Sequence, residues 1–157
     1  MTLALRPEDF YHTGIVVPDV GEAMAYLGAL GGYRWTSPMS YTLPLRTADG
    51  TVELTSTFVY SLQAPHLELI QEVPSSPWTA APGNAIHHLG YFVDDLAASA
   101  RSLQDNGFTL EATANTAPPG LALFAYYVHA SGTRIEIVDR ALFPDFPAFL
   151  RSAADSE

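Results

Sequence analysis

The chain has 157 residues, 48% of them hydrophobic, no cysteine, and 7 basic against 17 acidic residues for a net charge of -10. That length sustains one compact domain with a real core, or two small modules sharing one. The missing cysteine excludes disulfides, thiolate zinc sites and a thiol nucleophile, while the acidic balance argues against nucleic acid, whose binding rests on cations that neutralise phosphates. No charged-then-apolar leader opens the sequence, and no apolar run approaches the roughly 20 residues of a membrane helix. A soluble, cytoplasmic protein without membrane contact is expected.

After a short lead to Phe10, His12 to Val17 reads as a strand that runs into Pro18-Asp19. Asp19 can cap a helix, with Glu22 at the reciprocal position of a capping box. Ala23, Leu27 and Leu30 recur at helical spacing, so a helix is expected over Val20 to Leu30, stopped by Gly31-Gly32. Strands should follow, one beginning in Tyr33 to Ser37, one over Thr51 to Leu62 after the Asp49-Gly50 turn, and one over His66 to Gln71. Pro74 to Asn84 contains three prolines and no periodicity, which reads as a linker. Beyond it the order repeats: a strand from His87, a helix over Leu96 to Asn106 capped by Asp95 and stopped by Gly107, then strands near Phe108 to Ala112, Leu121 to His129 and Arg134 to Asp139. Pro118-Pro119-Gly120 and Ser131-Gly132 supply turns, and Ala141 to Leu150 should pack as a short helix after Pro144. Much of the acidity, Asp155 and Glu157 included, serves solubility.

The order is thus βαβββ twice. Tyr11-His12-Thr13-Gly14-Ile15-Val16-Val17-Pro18-Asp19 and His87-His88-Leu89-Gly90-Tyr91-Phe92-Val93-Asp94-Asp95 are copies of one another, and each half closes on a strand with one glutamate among aliphatics, Glu68 or Glu136. Strand side chains alternate between faces, which sets Glu68 against Leu67 and Leu69, and Glu136 against Ile135 and Ile137. The same alternation puts His12 with Gly14 and Val16, and His88 with Gly90 and Phe92. Two histidines and two carboxylates in equivalent places could converge where the halves meet. His66, His87 and His129 stand at strand edges or turns, or on the opposite face, and receive structural roles; a one-residue slip would exchange His87 with His88.

Paired βαβββ modules with His12-x-Gly14 near the start, His87-His88-Leu89-Gly90 opening the second half and His129-Ala-Ser-Gly-Thr-Arg-Ile-Glu136 near the end resemble the vicinal oxygen chelate superfamily. That group includes glyoxalase I, methylmalonyl-CoA epimerase, extradiol dioxygenases and bleomycin-resistance proteins. The resemblance implies an α+β fold in which two tandem modules, 9–73 and 85–140, form a curved mixed sheet with a concave metal-binding cleft. Residues 74–84 would be the linker and 141–157 a C-terminal tail, within one domain over 1–157. It also implies a metal held by one residue from each of four equivalent strands, His12, Glu68, His88 and Glu136. This His/Glu/His/Glu set looks like bacterial glyoxalase I, whereas His87-His88 and the proline-rich linker look like the epimerase branch, so the branch stays open.

Imidazoles and carboxylates suit Ni, Co, Mn, Zn or Fe, and four protein ligands leave up to two octahedral positions free for a substrate with adjacent oxygens. Such an ion acts as a Lewis acid toward an enolate formed beside a carbonyl. By resemblance Glu136 ligates and transfers a proton, and Glu53 resembles in place a second base. The expected activity is that of a metal-dependent isomerase, epimerase or lyase acting on a small carbonyl compound. The alternatives are a non-haem iron dioxygenase, for which Glu68 would be superfluous, and a non-catalytic drug-binding resistance protein. Trp35, Tyr41, Phe58, Tyr60, Phe92, Phe124 and Tyr126 could line a pocket for an aromatic or apolar substrate, about half of them being core. Arg34, Arg46 and Arg134 are the plausible anion anchors, which disfavours glutathione and CoA thioesters. A homodimer is expected, because each module leaves an open sheet that another module must cover.

Overall fold

A computed structural model of the chain describes residues 5–80, 86–115 and 120–154. It is α+β, with elements in the order β1 (Phe10–Val17), α1 (Val20–Gly31), β2 (Met39–Thr47), β3 (Gly50–Tyr60), β4 (Leu67–Gln71), β5 (Ile86–Val93), α2 (Leu96–Asp105), β6 (Phe108–Ala114), β7 (Phe124–His129), β8 (Arg134–Asp139) and α3 (Phe146–Ala153). This is βαβββ twice, followed by a helix. Among the described residues no helix is long and apolar enough to cross a membrane.

The helix boundaries follow from the capping residues. The Asp19 carboxylate accepts the Glu22 N–H at the start of α1, Asp95 does the same for Ala98 at α2, and Asp145 for Ala148 at α3. Gly32 ends α1 in the left-handed conformation, φ 68°, which returns its N–H to the Gly28 carbonyl and which a side chain would oppose.

Other boundaries depart from the expected ones. Tyr33 to Ser37 forms no strand; Trp35 and Thr36 make isolated bridges to Ser61 and Ala154, and β2 begins after Pro38, which lacks an N–H for a ladder. The strand expected from Leu121 starts only at Phe124, because Leu123 takes a positive φ of 64° that breaks extension. Within the described part of the linker Ser76 bonds the Val73 carbonyl, Val73 bonds that of Trp78, and Trp78 is 2% exposed. The linker's remainder, the turn at Pro118-Pro119, and Asp155 and Glu157 lie outside the described residues.

Packing groups the chain into two compact units. One comprises Met1–Tyr11, Thr42–Leu54 and His88–Pro144, the other His12–Tyr41, Thr55–His87 and Asp145–Glu157. In the second of these β1 runs parallel to β4, and β4 antiparallel to β3. In the first, β5 runs parallel to β8, and β8, β7, β6 and the outer half of β2 continue antiparallel. A β2–β3 hairpin tip encoded in the first repeat thus extends the sheet of the second.

Each unit divides its strand residues by parity. Ile15, Val17, Val59, Leu67 and Leu69 pack with Val20, Ala23, Met24 and Leu27 of α1 and with Trp35. Leu89, Tyr91, Val93, Ala125, Tyr127, Ile135 and Ile137 pack with Leu96, Ala100 and Leu103 of α2. Leu69 and Ile137 are wholly buried, and burial of each contributes about 1.5–3 kcal/mol. The residues of opposite parity lie on the sheet face away from the helix.

Near β1 one polar cluster is fully paired. Arg140 bonds Asp9 at 2.8 Å and Asp94 at 2.7 Å and stands over the Phe92 ring at 5.6 Å, while Arg6 bonds Asp9 at 2.7 Å. Burial pushes the Asp9 carboxyl up, but the hydrogen bonds from Arg6 and Arg140 together hold it below its ordinary value. A carboxylate depressed in the folded state stabilises above its unfolded pKa, and that stability is lost as pH falls through the folded value. Arg140→Leu is therefore expected to cost about 1 kcal/mol at pH 7, discounted for the exposed Asp94 arm. In urea unfolding this deficit should shrink by pH 3; an equal deficit at both pH values would refute the coupling.

Candidate metal-ligand pairs

In the unit containing β1 and β4, parallel pairing sets Gly14 opposite Glu68, two residues beyond His12. In the other unit, the pairing of β5 with β8 sets Gly90 opposite Glu136, two residues beyond His88. The repeated His-x-Gly motif is thus a register device: each histidine lands the same distance from its glutamate, and the glycine opposite leaves that carboxylate no competing side chain. His12 Nε2 lies 3.6 Å from Glu68 Oε1, and His88 Nε2 lies 3.6 Å from Glu136 Oε1. All four are buried, at 0%, 6%, 1% and 6% exposure.

A separation of 3.6 Å exceeds hydrogen-bond reach. Burial, opposed by the nearby Glu68 carboxylate, pushes the His12 imidazole below its ordinary pKa. Two donors each about 2.1 Å from one ion stand between about 3.0 and 4.2 Å apart, and the observed separation falls within that interval. Neutral imidazole beside carboxylate is also the donor chemistry of first-row divalent ions. Both pairs fit a metal on these two grounds.

Each pair has the same aromatic neighbour. Tyr60 of β3 opposes Glu68 and meets the His12 ring edge-on at 5.6 Å; Tyr126 of β7 opposes Glu136 and meets the His88 ring at 5.1 Å. Both tyrosines are preceded at two residues by a phenylalanine, with Phe58–Tyr60 at 5.7 Å and Phe124–Tyr126 at 5.6 Å. This Phe-x-Tyr repeat was visible in the sequence but carries no chemical signature, so it read only as part of a list of aromatics.

The three other histidines make protein contacts. His87 Nε2 donates to the Pro77 carbonyl at 2.6 Å, His66 Nδ1 donates to the Ser61 carbonyl at 3.0 Å, and His129 Nδ1 accepts the Ser131 N–H at 3.1 Å. Glu53 is exposed on β3, and regular alternation back from Tyr60 puts it in phase with Val59. Of the three arginines singled out as anion anchors, Arg134 is held by both oxygens of Glu111 at 2.9 and 2.8 Å, Arg46 donates to the Gly120 carbonyl at 3.1 Å, and Arg34 is exposed.

A family model described as the Glyoxalase/Bleomycin resistance protein/Dioxygenase superfamily matches residues 11–128. No curated protein sequence matches the chain. Among solved structures, methylmalonyl-CoA epimerase from Mycobacterium tuberculosis is similar at 21% identity and a TM-score of 0.54, over 88% of this chain and 92% of that one. A Streptomyces coelicolor methylmalonyl-CoA epimerase variant in complex with 2-nitronate-propionyl-CoA is similar at 14% identity and a TM-score of 0.52, over 83% and 96%. At these identities the likeness is one of fold.

Proposed function

Because the chain belongs to the Glyoxalase/Bleomycin resistance protein/Dioxygenase superfamily, we propose that it is a metal-dependent isomerase, epimerase or lyase acting on a small carbonyl compound through an enolate. The observation that carries this reading is the duplication of one buried His–Glu pair in identical strand register. His12, Glu68, His88 and Glu136 together hold one divalent ion, Ni, Co, Mn, Zn or Fe. Two carboxylates balance its two positive charges, and imidazoles ligate as neutral donors, so the buried assembly would carry little net charge. When bound, such an ion supplies Lewis-acid polarisation of the substrate carbonyl, which makes the adjacent C–H acidic.

Glu136 removes that proton and returns it to a neighbouring atom, or a second acid on the opposite side protonates the other face of the same carbon while Glu136 keeps the first proton. Glu68 ligates the ion and supplies charge. Glu53 is kept as a second base by resemblance only, since alternation along β3 sets it in phase with Val59 and not with Tyr60. The fourth buried donor favours this chemistry over an iron dioxygenase, which needs two histidines and one carboxylate. The test is elemental analysis of the purified protein beside a His12→Ala, Glu136→Ala double variant. Near-stoichiometric Ni, Co, Mn or Zn in the wild type alone supports the reading; iron with oxygen consumption, or no metal after reconstitution, overturns it.

The protein further works as a homodimer. What supports this is the outer side of α1, which carries Tyr26 and Leu30 at 52% and 82% exposure, with Glu22 as the helix's only charge. Sedimentation equilibrium should return twice the 17.0 kDa chain mass, and a monomer at micromolar concentration would refute it.

A further inference from the structure

The sheet face that carries His12 and Glu68 also carries a row of rings. Tyr41 of β2 lies 5.9 Å from Phe58, Phe58 lies 5.7 Å from Tyr60, and Tyr60 lies 5.6 Å from His12. Every step falls within the 4.5–7 Å of favourable aromatic contact. Exposure falls along the row: Tyr41 is 56% exposed, Phe58 is half-buried, Tyr60 is 3% exposed and His12 wholly buried. The row thus descends from solvent to the ligand pair. Register explains it: the Ser40 and Thr57 hydroxyls meet at 2.7 Å, so Tyr41 shares the face of Phe58 and Tyr60, and Tyr60 opposes Glu68.

The C-terminal helix adds a second wall. Phe146 and Phe149 of α3 meet the Tyr60 ring edge-on at 5.3 and 6.4 Å, and Phe149 is half-buried. The helix is pinned there by the Ser37 N–H on the Ala153 carbonyl at 2.8 Å and by the Thr36–Ala154 bridge, while Thr36 Oγ1 accepts the Tyr60 N–H at 3.0 Å. Among the described residues α3 has no counterpart after the first repeat, and its rings meet the tyrosine beside His12.

Cations are few in the same unit. The chain contains no lysine, and the only arginines of this unit, Arg34 and Arg151, are both exposed. Of the five arginines in the other unit, Arg6, Arg134 and Arg140 are bonded to carboxylates, Arg46 donates to the Gly120 carbonyl and Arg101 is exposed. A polyphosphate carrier finds little to neutralise it here.

We propose that Tyr41, Phe58 and Phe149 are specificity-determining residues that seat an aryl substituent, so that the substrate is an aryl-bearing compound with two adjacent oxygens and not a CoA thioester. The inference rests on the metal reading above, and one experiment separates the two. Benzohydroxamate and acetohydroxamate present the same oxygen pair to a metal and differ in phenyl against methyl. Their affinities for nickel-reconstituted protein are measured by titration calorimetry after metal content has been determined.

Benzohydroxamate is expected to bind at least about tenfold more tightly to the wild type, given what aromatic contact and apolar burial are worth. In Phe58→Leu and Phe149→Leu that preference should fall to about threefold or less, while acetohydroxamate binds as before and so reports an intact fold and metal site. Free coenzyme A should not displace benzohydroxamate. Metal uptake with equal affinity for the two hydroxamates overturns the aromatic seat and spares the metal reading. A preference unchanged in both variants overturns the residue assignment, and displacement by coenzyme A overturns the exclusion of phosphate carriers. Failure to take up metal overturns both inferences together.

Discussion

The His12→Ala, Glu136→Ala double variant is expected to purify with less than a tenth or so of the divalent metal that the wild type carries near one per chain. Even a partner one bond removed from a metal ligand is worth about 10–100-fold in affinity, so two direct donors, one from each His–Glu pair, are worth more than about 1,000-fold. The ion also acts on stability. At a free concentration 1,000 times its Kd it stabilises the native state by about 4 kcal/mol, because it binds folded and not unfolded protein. Added metal should accordingly raise the wild-type Tm by several degrees and leave that of the double variant unmoved. Substituting only one pair tests the sharing of the ion: His12→Ala with Glu68→Ala should abolish uptake as fully as the mixed variant does. Full occupancy in either double variant would sink the four-ligand assignment.

Glu68 and Glu136 occupy the same register against a glycine, with a histidine at 3.6 Å and a tyrosine opposite. Local geometry does not tell them apart, yet one is assigned ligation alone and the other proton transfer as well. Glutamine keeps the carbonyl oxygen of the side chain and loses its basicity. Glu136→Gln is therefore expected to lower kcat by about 100- to 10,000-fold, the range for a positioned general base, with metal retained. Glu68→Gln should stay within about tenfold of the wild type. The measurement is solvent deuterium incorporation beside the carbonyl of an aryl-substituted keto acid, followed by proton NMR against the enzyme-free rate. Equal losses would show that neither carboxylate has a distinct role and would leave Glu53 as the base to examine.

The element order was legible because the sequence states it twice. Strand alternation, aspartates ahead of the two repeated helices and glycines after them are local signals that depend on a few neighbouring residues, and the caps at Asp19 and Asp95 bear this out. The four candidate residues were equally legible, since two repeats agree on a histidine, a glycine two residues later and a glutamate among aliphatics, but the parallel register that sets each histidine near its glutamate came from the fold. Where local signals failed, the deciding partner lay far along the chain. Trp35 and Thr36 have strand-like composition, but their bridges are to Ser61 and Ala154. The proline-rich linker looked featureless, although Trp78 is buried within it and Pro77 offers a carbonyl to His87.

By itself the sequence determined the fold class, the duplication, the four candidate ligands and the absence of cysteine chemistry, because each is written in residue identity and short-range periodicity. Only the tertiary structure decided that the outer half of β2 pairs with β6, that Tyr60 and Tyr126 attend the two His–Glu pairs, and that the rings of α3 reach Tyr60. Contacts between residues up to about 90 positions apart are set by which surfaces exclude water together, and no local pattern encodes that choice.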